Sequence, residues 1–339
     1  MAPSAGIAMK SLAKRLILLI ITALFLYLVL RKVEPAKLWQ ALTQVYWPLL
    51  LPVVLVYLAG FIPRAQKWRI ILGRIKPVGL GDCLGYILVG CAANSLLPAR
   101  LGELVRAFIC GRREQVPATS VLSTIVLERV LEVLSLLVLL CVAVWLTGRG
   151  ELYRLALVGL ALCLGLMAGL FWLQRRPGWV LKLTALLPWE GLRERAQGWL
   201  TTFVQGLAVV QSPSRLAAII ALGWAVYLIE GASYWLLAYA FDLQVTYPQV
   251  LFVLCFIFVG MTIPSTVGNI GPLQYFCVLG LGYFGVDSSH ALIYSVFINA
   301  MMYLTVPLGL VYLHAYGATL GGLRSRFGAG EGAAHSLEE

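Results

Sequence analysis

In a chain dominated by apolar residues, the stretch NSLLPARLGELVRAF (residues 94–108) places Pro98, Arg100, Glu103 and Arg106 within nine positions. Pro98 disfavours helical geometry at Leu97 and suits the first turn of a new helix. The spacing predicts a short helix from about Ala99 to Cys110. The N–H groups at its head lack intrahelical partners and lie at the positive end of the dipole. Arg100 adds a full charge, and together these make an anion site. Arg100, Glu103 and Arg106 are spaced i, i+3, i+6, so they share a face and can pair. Asn94 offers a donor and an acceptor just before the break. Glu103 and Arg106 also fit a plain position at the membrane interface.

A second stretch, IPSTVGNIGPLQYF (residues 263–276), has the same character. Pro264 ends one helix and Pro272 opens the next. Gly268 and Gly271 let backbone N–H groups approach a ligand closely. Ser265, Asn269 and Gln274 supply hydrogen-bonding side chains. A third, TIVLERVLEVLSLLV, carries Glu128, Arg129 and Glu132 early in a long apolar run. A charge at a helix centre costs roughly 2.5–3.5 kcal/mol on insertion scales, so these three need partners inside the bundle. Arg100 or Arg106 opposite Glu128 or Glu132 is the simplest arrangement, whether for a substrate or as a structural ion-pair knot. Glu230, central in WAVYLIEGASYWLL, is a fourth such charge.

What must position these groups is a membrane bundle. Of 339 residues 60% are hydrophobic and 12% charged, with mean hydropathy +0.87, against about 25% charged in a soluble domain. Apolar stretches fall at about 12–30, 46–62, 84–97, 120–146, 152–173, 215–241, 249–263, 272–285 and 288–316. The first reads as an uncleaved helix, because Arg31 and Lys32 follow it instead of a small-residue cleavage site. Seven cysteines without a CxxC and three histidines without ligand spacing imply no disulfide framework and no metal. Gly165 and Gly169 make a GxxxG that reads as helix packing. The net charge of +11 suits a basic surface facing anionic lipid. A nucleic-acid site would need a basic patch with a motif, and the chain has none.

Charge bias selects a topology. If 84–108 and 249–285 are re-entrant hairpins of opposite orientation, 20 of the 26 Lys and Arg lie on one side, 5 on the other, and Arg129 lies in a helix. The positive-inside rule then puts both termini in the cytoplasm. The fold expected is an all-α polytopic membrane protein of about six spanning helices plus the two hairpins. Arg64, Lys67, Arg69, Arg74 and Lys76 fall in a cytoplasmic loop. Paired broken segments also hint at an inverted repeat with a substrate site at the breaks. Residues 1–317 form the membrane domain, 177–211 an interfacial amphipathic segment, and 318–339 a disordered cytoplasmic tail.

NSLLPARLGELVRAF followed by LERVLEV resembles the N…P…GE..R and ER..D signatures of the lysylphosphatidylglycerol synthase transmembrane region, also called the flippase-like domain family. IPSTVGNIGPLQ resembles that family's later Pro–Gly–Gly–acidic segment. The likeness covers about residues 12–316. Glu132 stands where Asp is common, and Gln274 where a glutamate is usual, which removes a titratable group from that position. Better-known members fuse this domain to a soluble aminoacyl transferase. None is expected here, so the resemblance implies the translocating half alone.

The expected function is translocation of a phospholipid or polyprenyl-phosphate-linked lipid, as flippase or scramblase, in the plasma (inner) membrane of a prokaryote. No catalytic residue or cofactor is expected, and no Walker motif is present for ATP coupling. Partner proteins would be a second copy or a lipid-synthesis enzyme. The alternatives are a membrane enzyme acting on a head group, with Glu103 or Glu128 as base, and an accessory subunit of a lipid synthase.

Overall fold

The computed structural model describes residues 19–31, 33–97, 101–148, 150–175, 212–263 and 267–315. Every regular element among them is helical: α1 Leu19–Leu30, α2 Pro35–Thr43, α3 Leu50–Ala59, α4 Phe61–Leu72, α5 Leu80–Leu96, α6 Gly102–Glu114, α7 Ala118–Thr147, α8 Tyr153–Arg175, α9 Pro213–Ala240, α10 Tyr247–Met261, α11 Pro272–Tyr283, α12 Ser288–Tyr303 and α13 Thr305–Ala315. The expected segments 177–211 and 318–339, with Pro98, Arg100 and Ser265, lie outside the described residues.

Among the described residues, four helical stretches are long and apolar enough to cross a membrane: Trp47–Leu72, Ala118–Thr147, Ser214–Ala240 and Ser288–Ala315. They occupy four of the six expected spanning positions, and α1 and α8 are helical at the other two. Only 28% to 39% of each apolar window is buried within the protein. The rest, including the exposed Leu51, Trp145 and Val311, would be unstable in water and is matched by lipid. The chain is a polytopic helical membrane protein.

The helices group into two compact units. One comprises Met1–Leu58, Cys91–Gly102 and Leu228–Leu308; the other comprises Ala59–Gly90, Glu103–Tyr227 and Gly309–Glu339. Each draws on both halves of the chain.

In the first unit α10 and α11 pack closely, α11 lies on α12, and α12 on α2. Hydroxyl-to-carbonyl bonds join helices where water is absent. Ser233 Oγ donates to the Val53 carbonyl at 2.8 Å, and Tyr294 Oη to that of Tyr234 at 2.8 Å. Asp287 caps α12 by accepting from the Ser289 N–H at 2.9 Å. Partial desolvation pushes its carboxyl up, but the Ser289 and His290 bonds and the Lys37 charge outweigh this and hold it below its ordinary value.

In the second unit Ile71 of α4, Leu127, Leu131 and Leu134 of α7 and Ile219 of α9 form a buried apolar cluster. α4 corrects one expectation. Arg64, Lys67 and Arg69 lie in a helix, not a loop. Pro63 has no N–H and its ring crowds the carbonyl four residues back, at Ala59, so the long span breaks at Gly60 and resumes as α4. Density of positive charge made the segment look like a loop, yet Phe61, Ala65, Trp68, Ile71 and Leu72 keep a buried helical face. Removing these three charges from the tally still leaves 17 against 5. A Cβ at Gly165 or Gly169 would meet nothing within 4 Å, so among the described residues the GxxxG packs no helix. The glycine of α8 that does meet α7 is Gly159, against Leu137 and Leu140.

Candidate functional site

Both breaks expected from proline and glycine are present. α5 and α6 run antiparallel, with Tyr86 Oη donating to Glu114 Oε1 at 2.8 Å near the open ends. α6 begins at Gly102, not near Ala99, and runs on to Glu114. The reason for that start is Asn94. Its Oδ1 accepts from the Gly102 N–H at 2.7 Å, so a side chain from the preceding helix caps the new one. Asn94→Ala should remove about 1 kcal/mol of stability, read as a lower melting temperature in detergent. An unshifted melting curve would mean that the cap carries no weight.

The second break is also capped by an amide, here from the third residue of the new helix itself. Gln274 Oε1 accepts from the Gly271 N–H at 2.7 Å, buried at the head of α11. The backbone between is left-handed at Gly268 (φ 70°), Asn269 (φ 58°) and Gly271 (φ 99°). Asn299 Nδ2, from α12, donates to the Gly268 carbonyl at 2.7 Å. A Cβ on Gly268 would lie 1.9 Å from Tyr303 Oη. Asn299 and Tyr303 were not singled out in the sequence; polar side chains at i and i+4 near the C-terminal end of the helix were the available signal.

The charges expected in the bundle gather in the second unit. Glu128 is fully buried. Its Oε2 accepts from Arg106 Nη1 at 2.9 Å, and its Oε1 faces Lys67 Nζ at 3.4 Å. Lys67 Nζ also donates to Glu132 Oε1 at 2.6 Å. Arg129 Nη1 donates to Glu132 Oε2 at 2.7 Å, and Arg129 Nε lies 3.8 Å from Glu103 Oε1. The guanidinium of Arg106 stacks on Trp68, 3.7 Å from the ring centroid. Trp68 is held in turn by its Nε1–H bond to Thr124 Oγ1 at 3.2 Å.

The site thus links α4, α6 and α7. Lys67 and Trp68 were missed because their stretch read as basic loop. Lys67 lies four residues before Ile71, on the buried side of α4, and that spacing was the signal. Glu230 belongs to the first unit, where it accepts from Tyr234 Oη at 3.2 Å.

One edge of the Arg106 guanidinium is left over. Among the described residues, Nε and Nη2 are both buried without a hydrogen-bond partner. These two N–H groups point the same way, the fork that grips a planar or tetrahedral oxyanion with two bonds. A buried donor left unmade costs about 1–3 kcal/mol, so this edge favours any acceptor that reaches it.

A family model described as the lysylphosphatidylglycerol synthase TM region matches residues 15–309. No curated protein and no solved structure matches the chain.

Proposed function

The chain belongs to the lysylphosphatidylglycerol synthase transmembrane region family, and from that membership we propose that it moves a phospholipid or lipid-linked head group between leaflets, as a flippase or scramblase, without changing the lipid. The Arg106 edge carries the reading. A charged cluster on membrane helices is a functional site by default, and here one guanidinium fork has no acceptor among the described residues. A lipid phosphate would supply them. Glu103, Glu128 and Glu132 balance Arg106, Arg129 and Lys67, and would meet an amine on a zwitterionic or cationic head group.

In this reading α5–α6 and α10–α11 are re-entrant hairpins entering from opposite sides, as inverted repeats among six spans. Both termini are cytoplasmic, in the plasma membrane of a prokaryote. Asn94, Gly268, Asn269, Gly271 and Gln274 lie near the breaks, and Pro98, Arg100 and Ser265, outside the described residues, are proposed to contact the head group with them. Tails stay in the bilayer, no cofactor or catalytic residue takes part, and a second copy or a lipid-synthesis enzyme stands beside the protein.

Arg106→Lys tests it, because it keeps a positive charge for Glu128 and removes the fork. In proteoliposomes loaded with fluorescent phospholipid, the variant should lose about tenfold or more in transbilayer rate, one charge-assisted bond being worth roughly 1.5–3 kcal/mol. Its melting temperature should stay near that of the wild type. Equal rates for a stable Arg106→Lys protein would remove the clamp. No transbilayer movement by the wild type would remove the transport reading altogether.

A further inference from the structure

A separate cavity of about 420 Å³ lies in the second unit between α4 and the first turns of α9. Gln66, Arg69 and Gly73 line one wall, and Ser214, Arg215 and Ala218 the other. Its size falls within the range of small-ligand sites. It lies where the span Trp47–Leu72 ends and the span Ser214–Ala240 begins, which is head-group depth.

Its chemistry is one-sided. Among the described residues, two arginines line it and no carboxylate does. Neither arginine forms an ion pair among the described residues: Arg69 Nη1 donates only a long bond, 3.4 Å, to Gln66 Oε1. This differs from the Lys67–Glu128–Arg106 cluster, where each charge has a counter-charge. The Ser214 hydroxyl and the positive end of the α9 dipole add to the same field. Two forks plus a hydroxyl exceed what one carboxylate can accept, and match the oxygens of a phosphate.

We propose that this cavity is a phosphate-binding site at the membrane–water boundary, distinct from the Arg106 cluster. It holds the phosphate of an anionic lipid head group or a free phosphate, whether or not the protein moves lipid.

The experiment uses the full chain in nanodiscs of phosphatidylcholine alone, or of phosphatidylcholine with a minority of phosphatidylglycerol. Retained phosphatidylglycerol is read by native mass spectrometry. Melting temperature is read with and without inorganic phosphate, against chloride at equal ionic strength. The variants are Arg69→Gln/Arg215→Gln and Ala218→Phe, which fills the cavity and keeps both charges. Wild type should retain phosphatidylglycerol, and each variant about a tenth as much or less. If the source is free phosphate, inorganic phosphate should instead raise the wild-type melting temperature in phosphatidylcholine discs and leave the variants unmoved. Wild type and double variant behaving alike in both arms would overturn the site. Binding kept by Ala218→Phe would also overturn it, by placing the anion outside the cavity. All three chains are also compared in an Arg106→Lys background, where any lipid held at the Arg106 cluster is lost; the tenfold difference is read there, so failure of the transport reading leaves this result readable.

Discussion

Glu128→Ala should be the most damaging single change in the second unit. The carboxylate is fully buried and serves Arg106 on one oxygen and Lys67 on the other. Its loss leaves two buried cations facing each other without their shared anion. Breaking a buried pair typically costs about 3–5 kcal/mol. The apparent melting temperature in detergent should fall by on the order of 10 °C. Glu128→Gln should fall less, because an amide oxygen still accepts one bond. Lys67→Met added to Glu128→Gln should recover part of the loss, since a cation and the missing anion then disappear together. Strict additivity of the two would mean that Lys67 and Glu128 do not interact. A stable Glu128→Ala protein would show the cluster to be solvated and peripheral.

Gly268→Ala should be nearly as costly, for two independent reasons. Backbone at φ 70° costs a residue with a Cβ roughly 1–2 kcal/mol. The new Cβ would also lie 1.9 Å from Tyr303 Oη, and crowding of this kind costs about 1–3 kcal/mol. Tyr303→Ala in the same chain should return the crowding part and none of the backbone part. Thermal unfolding of the four proteins separates the two contributions. A Gly268→Ala protein as stable as the wild type would mean that the break does not hold this left-handed form.

The helical plan was readable because lipid imposes a coarse rule, long apolar runs, and because clustered Pro and Gly interrupt two of them. The expected pairing of Arg106 with Glu128 followed from the need of each buried charge for a partner, and the structure has it at 2.9 Å. The partner supplied by α4 was not readable. Lys67 was assigned to water because five positive charges crowd residues 64–76, and only the docking of α4 on α7 buries it. The partner that Asn94 caps was not readable either, because it lies eight residues on, where the chain turns back.

The two helix heads at the breaks are capped by amides, Asn94 on α6 and Gln274 on α11. An amide has no charge and no proton to lose. Each cap therefore keeps its strength across the whole physiological pH range, and neither binds or releases a proton when its helix head shifts. A carboxylate in the same place would have to be carried through the membrane's electric field, about 2.3 kcal/mol per charge for every 100 mV crossed. With amides, the resting potential does no work on either cap.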